Sequence, residues 1–391
     1  MEMMILRRRG GGGGLEATNI PVSAGPRLEA LVQDLPPSSV RDLHRDDDVL
    51  GAAQPMPLTL IQPVAHATTA AAAADGVAWG ISAVGAASSP FTGKGLTVAV
   101  LDTGIDAAHP AFAGVEVVAR NFTTAGGEAD VTDTHGHGTH CAGTIFGREV
   151  NGTRIGVAPG VTRAVIGKVL GPGGGSTGTL VSAINWAIEK KAQVVSVSLG
   201  MDLVGFRDRL TQDGMHPKQA TSTAMRVLID NVRFFDKFGN MLRSGGGFGR
   251  GALVVAASGN ESDRFGDAPF VLGAAYPAAT EDFLSVGALE RTGDEATPYR
   301  VATFSNAGAR LAGPGVDVLS AAPGGGLQEM SGTSMATPHV AGVAALWAQK
   351  LMLHGAPTAE ELLFSLRSSA VVPPGLDVAD VGFGIPQAPL A

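Results

Sequence analysis

The spacing of apolar residues along this chain changes repeatedly, and each change marks a structural element. Short unbroken runs rich in β-branched residues, at 95–101, 165–170, 194–199 and 252–257, predict strands covered on both faces. Helical spacing appears between and after them. Val340, Val343, Ala344 and Trp347 fall at i, i+3, i+4 and i+7, predicting a buried helical face that begins near Ser334. Pro338 is read as lying near that helix start, Gly342 as a point of close approach and Gly355 as a stop. Met225, Leu228, Val232 and Phe235 predict an amphipathic helix within 217–238. Strands alternating with helices give an α/β fold with a mainly parallel sheet and helices on both faces.

The first 74 residues follow a different pattern. Residues 1–14 carry three arginines followed by five glycines, with no apolar core of a secretory signal, and read as a floppy tail. That predicts a cytoplasmic protein, or one exported by a non-classical route. The run 28–35 fits helix or strand, 34–37 is a turn, and 40–48 is highly charged. Residues 55–64 are bracketed by prolines and read as extended, and 65–74 as a linker. Domain organisation is then an extension at 1–74 and one large domain at 75–391.

Composition narrows the function classes. Of the 391 residues 45% are apolar and 16% charged, which indicates a folded globular chain. A net charge of −8 argues against nucleic acid or an anionic membrane as partner. No run reaches the roughly 18 apolar residues of a membrane-spanning helix. Cys141 stands alone, so there is no internal disulfide.

Candidate chemistry sits at the element ends. Ser334 at a helix N-terminus has free backbone N–H groups beside its hydroxyl, but a serine there is ordinarily a cap. To act as a nucleophile it needs a base and an orienting group. Asp102 ends the 95–101 run, where parallel sheets place functional groups, although an Asp before Thr-Gly also suits a turn. His135, His137 and His140 invite a zinc reading, but their spacing does not share one helical face. The run Gly173-Gly174-Gly175 lacks the lysine and spacing of a phosphate loop.

Three stretches resolve these alternatives. Gly332-Thr333-Ser334-Met335-Ala336-Thr337-Pro338-His339-Val340-Ala341-Gly342, Asp102-Thr103-Gly104 and His137-Gly138-Thr139-His140 resemble the motifs of the subtilases, the subtilisin-like serine peptidases. Their chain order, Asp then His then Ser, is the one known for subtilisin. The resemblance covers about 75–391 and implies the three-layer subtilisin-like fold, with 283–289, 302–308 and 316–322 completing its strand-and-turn pattern. It implies a serine endopeptidase in which Asp102 orients His137, His137 is the base, Ser334 the nucleophile and Asn260 the oxyanion donor. The backbones of Gly173, Gly174 and Gly175 and of Ser198, Leu199 and Gly200 are expected to clamp the substrate as an added strand. Ala275, in the pocket before the scissile bond, predicts an apolar or aromatic preference there. Cys141 is expected one turn from His137, open to organomercurials. His109, His135, His140, His339 and Asp106 are read as structural or surface residues.

No cofactor is required, the partner is a peptide or protein substrate, and a monomer is expected. Structural calcium is left open. Asp75, Glu149 and Asn151 offer oxygens, whereas Ala111 and Arg310 stand where some relatives have carboxylates. Residues 1–74 are a flanking extension or a shortened inhibitory propeptide. The segment 201–251, much longer than in the family core, is a surface elaboration or a rim that narrows substrate choice. The alternatives to general degradation are processing of one partner protein and a non-catalytic peptide-binding scaffold.

Overall fold

The computed structural model describes residues 1–8, 28–43, 45–64, 76–123, 125–245 and 251–390. The chain starts with a small antiparallel sheet of β1 (Glu2–Arg8), β2 (Leu28–Asp34) and β3 (Val49–Ala53), in the order β2-β1-β3, with α1 (Pro37–Leu43) between the last two. The floppy start is thus wrong for the first eight residues. Met3-Met4-Ile5-Leu6 is an apolar run masked in the sequence by the arginines and glycines after it, and all four side chains are buried. Next comes β4 (Pro57–Leu60), extended as its flanking prolines require. The linker expected at 65–74 lies outside the described residues.

From there strands and helices alternate. α2 (Trp79–Ala83), β5 (Thr97–Asp102) and β6 (Glu116–Asn121) lead to α3 (His137–Phe146) and β7 (Arg163–Lys168). The short β8 (Gly175–Ser176), α4 (Thr177–Glu189), β9 (Val194–Val197) and β10 (Leu199–Met201) follow. A helical hairpin, α5 (Leu203–Gln212) and α6 (Pro217–Ser244), fills most of the long segment. The last third holds β11 (Leu253–Ala257), β12 (Leu284–Arg291), β13 (Tyr299–Val301), β14 (Leu311–Pro314), β15 (Val318–Ala322) and β16 (Gly326–Met330). It closes with α7 (Thr333–Leu351), α8 (Ala359–Ser369) and α9 (Val378–Val381).

Eight strands form the central sheet, ordered β13-β12-β11-β9-β5-β7-β6, with β14 also beside β12. Every pairing is parallel except β12 with β13. Alternate residues of one strand enter different cores, as the two-residue period of a strand demands. Val98 and Val100 join Ile145 of α3 and Val340 of α7, whereas Ala99 and Leu101 join Ile184 of α4 and Phe238 of α6. This is the predicted three-layer α/β fold, with helices on both faces of a mainly parallel sheet.

The N-terminal sheet adds to the second core. Met4, Leu6 and Ala53 pack with Phe234, Phe235 and Phe238, so α6 faces the small sheet as well as the large one. The amphipathic helix predicted to 238 continues to Ser244 because Met241 and Leu242 extend the same buried stripe. No residue of α5 is fully buried, which explains why its pattern gave no signal.

Candidate functional site

Ser334 lies in the first turn of α7, fully buried in this structure. Pro338 lies inside the helix instead of near its start. Its missing N–H removes the donor that an α-helix would supply to the Ser334 carbonyl. Cys141 Sγ donates to that oxygen instead, at 3.4 Å. A Cβ on Gly342 would fall 2.5 Å from Val157 Cβ, so this glycine does permit close approach. The helix ends at Leu351, four residues before the stop expected at Gly355.

Asp102 closes β5, and His137 opens α3 after Gly136, whose φ of 90° suits glycine. His137 Nδ1 meets Asp102 Oδ1 at 2.7 Å, with both side chains buried. The same carboxylate oxygen accepts from Thr103 N at 2.8 Å. Burial disfavours a charged imidazole, but the Asp102 charge and then Cys141 outweigh it. The His137 pKa is held well above its ordinary 6.5. Cys141 Sγ lies 3.8 Å from His137 Nδ1, as its one-turn spacing predicts, and burial pushes its thiol pKa up.

Asn260 follows β11 and Gly259, and its orientation is fixed by α7. Thr333 N and Thr333 Oγ1 both donate to Asn260 Oδ1 at 2.8 Å. With that oxygen engaged, Asn260 Nδ2 is turned into the cleft. There it donates to Gln62 O at 2.8 Å.

The cleft between the two predicted walls holds this chain's own β4. A three-stranded antiparallel sheet runs β10-β4-β8. Leu60, Thr59 and Leu58 pair with Leu199, Gly200 and Met201, and Leu58 also pairs with Gly175. A Cβ on Gly174 would lie 2.5 Å from Leu58 O, so the wall needs glycine there. Gly173 lines a neighbouring hollow of about 530 Å³ with His135 and Lys168. Ile61 N donates to Ser198 O at 3.4 Å. A Cβ on Gly200 would sit 3.7 Å from Ala275 Cβ and 3.8 Å from Ile61 Cγ1, which places the Ile61 side chain in the region of Ala275.

Where β4 ends, the chain crosses Ser334. The Ser334 hydroxyl donates to Ile61 O at 3.2 Å. Among the described residues His137 Nε2 has no hydrogen-bond partner. The oxygen held by Asn260 belongs to Gln62, one residue beyond the carbonyl held by Ser334. Val64 N then donates to Ser331 O at 2.8 Å, fixing the exit.

The other histidines singled out in the sequence are structural or lie at the surface. His140 donates to Val318 O and is pushed down to about 3 by burial. His339 bonds Met335 O and is pushed down to about 4, again by burial. His109 accepts from Ala111 N and donates to Gly326 O, and His135 is exposed. Among the described residues the one group of side chains close enough to share a metal ion is Asp102, His137 and Cys141. Asp75 lies outside the described residues, and Glu149 and Asn151 are exposed. Two arginines supply the positive charge in that region. Arg148 donates to Phe146 O and Val161 O, and Arg154 to Ala86 O, Gly156 O and Val157 O. Arg310 donates to Phe283 O. Calcium needs several free oxygens, and these loop carbonyls are engaged by arginine.

Two positioning groups have no counterpart in the sequence reading. Asp133, 4% exposed, accepts from Thr103 Oγ1, Gly136 N, Thr139 N and Thr139 Oγ1 at 2.7–2.8 Å. Burial pushes its pKa up, but the bonds from Thr139, Gly136 and Thr103 outweigh it and hold it below 3.8. Asp133 thereby ties the start of α3 to the residue after Asp102. Thr333 does the same for Asn260. A carboxylate four residues before His137 was the one available signal for Asp133. Thr333 gave none, since its partner is 73 residues away.

A buried imidazole clamped by a carboxylate, a serine at a helix start and a groove for extended main chain define a serine peptidase. The chain belongs to the subtilase family, whose model matches residues 93–368. It is 35% identical over 260 residues to the "Major intracellular serine protease" of Bacillus subtilis (strain 168), spanning 65% of this chain and 68% of that protein. Over 258 residues it is 36% identical to the "Intracellular serine protease" of Paenibacillus polymyxa, with 65% and 67% covered. Subtilisin Savinase of Lederbergia lenta is 34% identical over 283 residues, 71% of this chain and 86% of that protein. The protein is therefore a subtilisin-like serine peptidase, a hydrolase acting on peptide bonds in protein substrates.

Proposed function

We propose that residues 75–391 form an endopeptidase with Asp102, His137 and Ser334 as its catalytic triad, held closed by residues 1–74. The observation that carries this reading is the pair of carbonyls at Ile61 and Gln62, bonded to Ser334 and Asn260. An extended chain with its register set by β8 and β10 lies as a substrate would. Ile61 fills the place before the scissile bond, with Leu60, Thr59 and Leu58 preceding it.

In the open enzyme His137, oriented by Asp102, takes the Ser334 proton as the hydroxyl oxygen attacks the substrate carbonyl carbon. Asn260 Nδ2 and the Ser334 backbone N–H receive the oxyanion. The imidazolium then gives its proton to the leaving amine, and water releases the acyl-enzyme. In the closed chain the Ser334 proton is spent on Ile61 O, His137 is not engaged, and Asn260 holds the wrong carbonyl for attack at Ile61. Inhibition by occupancy without cleavage follows from that mismatch.

A fluorophosphonate probe tests the reading. One adduct is expected on protein cut within 65–75, and none on Ser334→Ala. Labelling that persists in Ser334→Ala would discard the assignment. The base must be neutral, so activity falls as pH drops through the His137 pKa. Because that pKa is raised, half-activity in kcat/KM is expected above 6.5, and a midpoint at or below 6.5 would contradict the Asp102 pairing.

Ala275 supports a pocket for apolar or aromatic side chains before the scissile bond. Peptides varied at that position should rank Leu, Ile and Phe above Lys, Arg, Asp and Glu, and the reverse order would reject the pocket. No cofactor enters the mechanism. With Arg148 and Arg154 serving the loop carbonyls, a chelator is expected to shift Tm by less than about 2 °C, which corresponds to under 1 kcal/mol. A larger drop would restore calcium. One chain supplies every group, so a monomer suffices. Among the described residues no helix is long and apolar enough to cross a membrane. Two relatives named as intracellular support a cytoplasmic site of action.

A further inference from the structure

The main chain that fills the cleft is also gripped at the start of β4 and before it. Pro57 O accepts from Asp202 N at 3.0 Å. Met56 is held at both ends by one residue, its N–H donating to Thr177 Oγ1 and its carbonyl accepting from Thr177 N, both at 2.8 Å. Gln54 O accepts from Asn231 Nδ2 at 2.8 Å. Thr177 Oγ1 also donates to Asn231 Oδ1 at 2.7 Å, joining α4 to α6.

These groups are built for a chain, not for particular side chains. Every contact goes to a backbone N–H or carbonyl of residues 54, 56 and 57. Thr177 is the first residue of α4 and Asp202 caps α5, so both offer N–H groups that their own helices leave without partners. Asn231 is a lone amide on the apolar stripe of α6, fully buried among Val227, Phe234 and Phe235. A buried amide is costly unless it is hydrogen-bonded, and one of its N–H groups is satisfied only by the incoming carbonyl. Gly178 completes the arrangement, since a Cβ there would stand 3.1 Å from Pro55 Cγ.

We propose that Thr177, Asp202 and Asn231 form a main-chain-binding subsite for polypeptide substrates, engaging residues five, six and eight positions before the scissile bond. This rests on the peptidase reading above, with Ile61 marking the position before that bond. Gln54, Met56 and Pro57 occupy the subsite in the closed chain, and a long substrate takes their place in the open one. Asp202 and Asn231 belong to the segment 201–251, so that segment is a wall of an extended groove. Short peptides end before reaching it. Unfolded protein chains do not.

The test uses the full chain, folded intact, cut at a site-specific protease site introduced within 65–75 and separated from its extension. Two fluorogenic peptides share the four residues before the cleaved bond, and one carries four further alanines. A third repeats the long peptide with an N-methyl group on the amide six positions before the bond. The long peptide is expected to exceed the short one in kcat/KM about tenfold, mainly through KM, as two or three net hydrogen bonds allow. The ratio should fall towards one for the N-methyl peptide, and for the long peptide on Thr177→Val or Asn231→Leu. Equal kcat/KM for both lengths would overturn the subsite, as would a gain that survives the N-methyl group and both substitutions. No turnover of any peptide and no fluorophosphonate adduct would instead overturn the peptidase reading itself.

Discussion

Cutting the chain within 65–75 and removing the extension should raise fluorophosphonate labelling of Ser334 by at least about a hundredfold. Tethering makes β4 an intramolecular ligand, and linkage of this kind multiplies occupancy by about 10²–10⁴. The extension is also well packed. Met4, Leu6, Met56, Leu58 and Ile61 are at most 3% exposed, and burying each such side chain is worth about 1.5–3 kcal/mol. Those side chains hold the extension, while the pairings to β8 and β10 set its register. The measurement is a time course of probe incorporation on intact and cut protein, with Ser334→Ala as the blank. If the intact chain labels as fast as the cut one, β4 does not guard the serine.

Replacing Asn260 by Leu should lower kcat about 10²–10³-fold with little change in KM, a magnitude taken from removal of the corresponding donor in subtilisin itself. The reason is geometric. Asn260 Nδ2 is already aimed at a carbonyl oxygen, 2.8 Å away at Gln62, because Thr333 occupies its Oδ1. A donor fixed before the reaction stabilises charge that appears only in the transition state, so kcat bears the loss. Steady-state kinetics on the cut protein with a four-residue substrate separates the two constants. A loss confined to KM, or one smaller than about fivefold in kcat, would mean that Asn260 only positions the strand. Thr333→Val should reproduce part of the kcat loss by removing one of the two donors that hold Asn260 Oδ1.

Much of this was legible in the sequence because it rests on local pattern. The buried strands come from short apolar runs, and the ends of β5, α3 and α7 come from stretches in which backbone and chemistry need the same residues. The two walls were expected from the family resemblance alone, and there this chain's own strand passes too close to Gly174 for a Cβ. What the sequence hid depends on distant partners. Thr333 acts on Asn260, and Asn231 meets Gln54 across 177 residues. The strand at Glu2–Arg8 was hidden differently, because four apolar residues beside arginines and glycines carry too little pattern to compete with composition. α5 lacked a buried face altogether. The register at Ile61 and Gln62 was beyond any reading of periodicity, because it is set by which carbonyl each of Ser334 and Asn260 meets.

The position of β4 between β8 and β10 also has a temporal meaning. Residues 57–60 leave the ribosome before 175–176 and 199–201, and chains generally fold N-terminal parts first during synthesis. The segment that becomes β4 is therefore already present on the chain when each wall is made, and Ser334 is translated after all three strands. If the extension guards the serine as proposed above, a newly made molecule carries the strand that fills its groove before it carries the nucleophile.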